Sequence, residues 1–260
     1  MRRNIILGVL FFLVILVFGN IGFQLWRDRP ENIIRKICPD NAAVLPRVLE
    51  YELRFISIPV GISRIKFNGF EDYLGRKVLW MSADASVSGF LAKFIDGKAL
   101  VESWVDTQNM HTVKFRQVLT LPDKPVDVKE IIYDQKNNIM HLNQEKRVIF
   151  PDTQDVLSLV YMLCNAELYV GKEFDINVNT NQQNYRFLIK VVRSKGVVLK
   201  DRIIPVWTLE GTIRRRNKSL RHSSSVSIVL AGEKNKIPIL GRFTSNAGVI
   251  NARLTGFQSQ

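Results

Sequence analysis

Alternation with period two dominates the chain after residue 47 and leaves little room for anything but antiparallel sheet. Leu49, Tyr51, Leu53 and Phe55 fall on one face of an extended segment, and Glu50, Glu52 and Arg54 on the other. Pro59-Val60-Gly61 reads as a turn, with residues 62–68 as the returning strand. Similar segments follow near 76–85, 99–106, 111–120, 126–134, 138–150, 173–180, 184–193, 197–214, 223–231, 236–244 and 247–255. Residues 134–138 and Ser194-Lys195-Gly196 have the small, polar composition of hairpin connections. No signature repeats at a period of roughly 20 to 50 residues, which argues against a propeller or solenoid.

One segment breaks the pattern. After Pro151, Asp152 is placed to cap a helix with Asp155 at the capping-box position. Val156, Leu159, Val160 and Leu163 then recur at helical spacing, as do Leu157, Tyr161 and Cys164. A helix apolar over so wide an arc, about residues 155–168, must be enclosed. A sheet of ten or more twisted strands curls, so the helix belongs inside that curve or across its mouth. The expected fold is mainly β: a curved antiparallel sheet or open lipocalin-like barrel around one central helix. A weaker helical stretch at 86–95, with Phe90, Leu91 and Phe94, reads as a short lid or edge cover.

The first 26 residues are different in kind. Asn4 to Trp26 is a run of 23 residues without a charge, preceded by Arg2 and Arg3 and followed by Arg27 and Arg29. As a helix it would reach about 34 Å, enough for a ~30 Å hydrocarbon core. The α-amine, Arg2 and Arg3 favour a cytoplasmic N-terminus, a single pass through the inner membrane by residues 4–26, and an exported remainder. The alternative is a cleaved signal peptide with its apolar stretch at 5–18, releasing the domain to the periplasm. The domain plan is therefore 1–26 as signal anchor or signal peptide, 27–47 as a juxtamembrane stalk, and 48–260 as the extracytoplasmic barrel. Pro30, Pro39 and Pro46 mark the stalk, with a helical turn expected around 31–37.

Three stretches resemble a known family. Residues 51–61 (Tyr-Glu-Leu-Arg-Phe-Ile-Ser-Ile-Pro-Val-Gly) look like the opening strand and turn of a bacterial exported family, domain of unknown function 3108. Residues 155–163, with Leu168 and Gly171, resemble that family's central helix. Lys236-Ile237-Pro238-Ile239, followed by residues 248–254, resembles its closing hairpin. The resemblance implies an open barrel similar to periplasmic lipoprotein carriers, and it supplies no catalytic residue to transfer.

Catalytic chemistry finds little support in the residues. The chain lacks the metalloprotease, redox dithiol, nucleophile-elbow, phosphate-loop and dinucleotide motifs. His111 and His141 sit in predicted strands, and His222 beside Ser223, Ser224 and Ser225 reads as a turn entering a strand. No ligand cluster points to a metal, and no cofactor is expected. Cys38 and Cys164 permit one disulfide in an exported chain, although Cys164 on the apolar helix reads as a buried thiol.

The net charge of +13 is unevenly spread. Residues 27–180 hold 20 basic and 21 acidic residues, whereas 181–260 hold 15 basic and only 3 acidic ones. Arg214, Arg215, Arg216, Lys218 and Arg221 cluster at one turn and are candidates for contact with anionic lipid or glycan. Nucleic acid would place an exported domain in the wrong compartment unless it acts in DNA uptake. For an apolar, lipid-like ligand held in the half-barrel, the candidate lining residues are Leu49, Tyr51, Leu53, Phe55, Leu159, Tyr161, Leu163, Trp207 and Leu209. The leading expectation is thus a non-catalytic envelope binding module. The alternatives are a structural or interaction protein using the basic third and, further off, an envelope hydrolase.

Overall fold

In the computed structural model the described residues are 30–37, 47–93, 96–180, 182–199, 202–216 and 223–258. Fourteen strands there form one antiparallel sheet. The first eight are β1 (Val48–Phe55), β2 (Ile58–Tyr73), β3 (Arg76–Val87), β4 (Lys98–Asp106), β5 (Thr112–Thr120), β6 (Asp127–Asp134), β7 (Ile139–Leu142) and β8 (Glu145–Val148). The other six are β9 (Glu173–Thr180), β10 (Gln183–Leu199), β11 (Arg202–Arg215), β12 (Ser223–Ala231), β13 (Ile237–Ser245) and β14 (Gly248–Gln258). Two helices, α1 (Pro30–Ile37) and α2 (Val156–Asn165), complete the regular structure together with a 3-10 turn at Gly89–Lys93.

The chain makes two meanders, β1 to β8 and β9 to β14, and the pairing of β14 with β1 joins them into one curved sheet. β8 and β9 are left as the two edges. The segment between β8 and α2 bridges them. The Gln154 amide donates to the Asn177 carbonyl at 2.8 Å, and the Asn179 amide to the Gln154 carbonyl at 2.8 Å. Asn177 Nδ2 and Asn184 Nδ2 donate to the carbonyls of Pro151 and Val148 at 2.8 and 2.9 Å. Backbone groups that an open edge would expose are thereby satisfied, which blunts edge-to-edge association.

Several local expectations are corrected. The turn after β1 falls at Ile56 and Ser57, with Ile56 at φ 57°, so Pro59-Val60-Gly61 lies within β2. Residues 138–150 contain a hairpin, β7 and β8, turned at Asn143 with φ 54°. β10 runs through Ser194-Lys195-Gly196 because a bulge between Val191 and Arg193 absorbs the irregularity. The 86–95 stretch supplies a single 3-10 turn, since Gly89 takes φ 68° and stops an α-helix from starting there. Residues 1–29 and Cys38 lie outside the described residues, and the membrane-segment expectation lies there with them. Among the described residues no helix is long and apolar enough to cross a membrane.

Candidate binding surfaces

Helix α2 determines what the inside of the curved sheet can hold. Its N-cap is Asp155 and not Asp152, with Ser158 at the third helical position in a reciprocal capping box. Asp155 is 1% exposed. Its carboxylate accepts from the Leu157 amide at 2.6 Å, the Ser158 amide at 3.0 Å, Ser103 Oγ at 2.5 Å and Thr112 Oγ1 at 2.9 Å. Strands β4 and β5 supply the two hydroxyls, so the cap fastens the helix to the sheet wall. Burial raises the Asp155 carboxyl above its ordinary value, against the pull of these donors. At the other end the Lys236 ammonium, itself nearly buried, donates to the Ala166 carbonyl at 2.7 Å. A carboxylate at the N-terminus and a cation at the C-terminus both favour the helix dipole.

Between these ends the helix divides its side chains between two hydrophobic clusters. Leu157 and Tyr161 join Leu49, Tyr51, Leu79, Met81 and Val105. Leu163 and Cys164 join Phe187, Ile189, Val191 and Leu209, with Leu159 and Trp207 packed against them. The Tyr51 hydroxyl donates to the Pro238 carbonyl at 2.7 Å, which satisfies the polar tip of a buried ring. Cys164 is a free thiol, and burial pushes it up to about 12.

The nine candidate lining residues are distributed over more than one cluster. Leu49, Tyr51 and Tyr161 belong to one cluster, and Leu159, Leu163, Trp207 and Leu209 to the other. Leu53 is half-buried and Phe55 fully buried, and neither belongs to these clusters. A crevice beside α1, lined by Ile33, Ile34, Ala231, Ile237, Leu254 and Phe257, measures about 10 Å³, room for one water at most.

The basic cluster also has structural work. Arg216 donates to Asn177 Oδ1, and its guanidinium lies 3.8 Å from the centre of the Phe150 ring, so it clamps the bridging segment to β9. Arg215 donates to Gln183 Oε1 across the β10–β11 pair. Arg214 is half-buried opposite Arg186, whose charge is met by Asp175 at 2.5 Å. Lys218 and Arg221 lie outside the described residues.

One feature of the outer wall is not apparent from the sequence alone. Along β2 to β5, alternate residues face away from the core, and those near one end enclose an open groove of about 450 Å³. Lys66 and Asp84, paired at 3.3 Å, form one side, with Ser86, Lys98 and Thr120 nearby. Leu100 and Val118 form its floor from the register position opposite Asp84. Apolar residues on the polar side of an alternating strand were the available signal. Farther along the same wall Trp80 and Trp104 stack at 6.2 Å, with Lys114 Nζ 4.9 Å from the Trp104 ring.

A curled antiparallel sheet with a helix fastened in its interior defines a barrel-like module. The chain belongs to the family described as protein of unknown function DUF3108, whose profile matches residues 50–255. No curated protein shows significant similarity. Among solved structures, a β-barrel-like protein of domain of unknown function DUF1849 from Brucella abortus superposes with a TM-score of 0.54 at 9% identity, covering 84% of this chain and 98% of that one. A Bacteroides fragilis protein with a YmcC-like fold gives a TM-score of 0.35 at 8% identity, with 83% and 99% covered. The likeness to the Brucella protein shows the fold.

Proposed function

We propose that the protein is a non-catalytic, extracytoplasmic interaction module of the cell envelope, held at the inner membrane by residues 4–26, whose working surface is the outside of the sheet. The observation that carries this reading is the seating of α2. A helix capped by a buried carboxylate, tied at its end by Lys236 and packed into two clusters competes with an apolar ligand for the inside of the sheet. Admitting a lipid chain would require breaking those polar anchors and exposing apolar surface at about 25 cal/mol per Å². The outer groove, by contrast, is open and has both charged and apolar walls.

Uptake of an apolar fluorescent probe by the full-length protein in detergent, with native mass spectrometry in parallel, tests this. The wild type should show no saturable uptake and the mass of the polypeptide alone. Leu163→Ala, which removes a fully buried side chain, should open a small probe site. One-to-one uptake by the wild type, or a stoichiometric lipid in its spectrum, would overturn the reading.

A further inference from the structure

We propose that the free end of the β10–β11 ribbon docks the domain onto an anionic lipid surface close to where the chain leaves the membrane. This rests on the reading of residues 4–26 as a membrane segment.

β9 pairs with β10 only over Gln183–Lys190, and β12 pairs with β11 only over Val206–Arg214. Val191 still bonds to Gly171 and Lys172, and the Pro205 carbonyl accepts from the Gly232 amide, so it is residues 197–199 with 202–204 that project as a two-stranded ribbon without strand neighbours on either side. Such a ribbon is marginal in water on its own. Here α1 supports it, because Ile33 and Ile34 share a cluster with Val197, Leu199, Ile204 and Val206. Lys195 Nζ meets Glu31 Oε1 at 2.5 Å and ties the ribbon to the first turn of α1.

The composition of the ribbon suits a membrane interface. Val198 and Ile203 lie directly opposite each other and are 61% and 69% exposed. Gly196 makes this pairing possible, since a Cβ there would stand 2.6 Å from Ile203 Cγ2. Arg193, Lys195 and Arg202 are exposed on the same ribbon, Lys195 and Arg202 at register positions on its other face, and the link between the strands adds Lys200 and the ribbon's one acid, Asp201. Aliphatic side chains among cations match the boundary between acyl chains and anionic headgroups.

Position supplies the rest. Pro30 follows Trp26 by four residues, a span of at most about 14 Å. From Lys195 to Leu199 is another four residues of strand, or about 13 Å. With the Glu31–Lys195 contact joining these two short legs, the ribbon end stays close to where the chain leaves the membrane, and the tether sets a high local concentration of headgroups. A second copy of the chain is a poorer occupant. Two such ribbons would bring like charges together, and Pro205 removes a backbone donor from the outer edge of β11.

The test uses the full-length protein, with Cys38→Ser, in nanodiscs. An environment-sensitive fluorophore on Val198→Cys should be quenched by spin-labelled lipid when the disc contains phosphatidylglycerol, and not in pure phosphatidylcholine. Each near-surface cation is worth about fivefold in binding, so Arg193→Glu with Arg202→Glu should reduce the quenched fraction at least tenfold without changing the circular dichroism. Val198→Ser, with the label moved to Ile203→Cys, should also weaken quenching. The same label on Leu74→Cys, an 82% exposed turn residue, should remain unquenched.

An unquenched Val198 label on anionic discs, or equal quenching at Leu74, would overturn the proposal. A signal that appears in detergent and grows with protein concentration would assign the surface to a second copy and also overturn it. Alkaline carbonate extraction reports separately on the membrane segment. If the chain is extracted, the anchor reading fails, and docking survives only if the Val198 label is still quenched on anionic vesicles.

Discussion

Asp155 shows how one side chain joins local and long-range order. It caps α2 and also receives hydroxyls from β4 and β5. Asp155→Ala would remove the cap and leave two buried hydroxyls and two amides short of an acceptor, at a cost of about 3 kcal/mol in urea unfolding. Asp155→Asn should cost less, because the amide oxygen still accepts from the helix. The wild type and Asp155→Asn should also differ in pH dependence. Burial raises the carboxyl, so the native state keeps its proton to higher pH than the unfolded chain. Stability from this group is greatest below about pH 4 and declines as pH rises through the folded value. Urea midpoints between pH 4 and 8 should fall for the wild type relative to Asp155→Asn. Cys164, pushed up to about 12, should resist alkylation at pH 8 in a Cys38→Ser background until the protein unfolds.

At the scale of elements, close strand packing has identifiable control points. A Cβ on Gly211 would lie 2.1 Å from the Leu188 carbonyl oxygen, a backbone clash that β11 cannot relieve without leaving β10. Gly241 has only Ala252 Cβ at 3.8 Å. Gly211→Ala should therefore lower the thermal midpoint by several degrees, and Gly241→Ala should leave it nearly unchanged. The strands and α2 were legible because their apolar spacing is set by which face is buried. The bulge at Val191/Arg193 and the β7–β8 hairpin were not, since both depend on partner strands remote in sequence. The true helix cap was hidden for a related reason. Asp152 and Asp155 both suit a cap by local sequence, and Ser103 and Thr112 favour Asp155 from about fifty and forty residues away.

At the scale of the molecule, seven of the nine candidate binding residues fall in two hydrophobic clusters that α2 joins, with Leu53 and Phe55 outside them. Residue type marks Leu163 and Leu209 as apolar, but not whether the space between them is empty. The Arg214–Arg216 cluster has a similar lesson, since Asn177, Gln183 and Phe150 are distant in sequence and engage two of those charges. In the function proposed above, the barrel interior serves stability, and the outer wall and the β10–β11 ribbon serve contact. Native-state amide hydrogen exchange on the full chain tests this division most directly. The α2 amides from Leu159 to Cys164 should exchange only through global unfolding, with the same free energy as the buried amides of β3 and β4. Exchange of α2 through a separate opening several kcal/mol easier than global unfolding would make the helix a lid over an accessible cavity, contradicting the account.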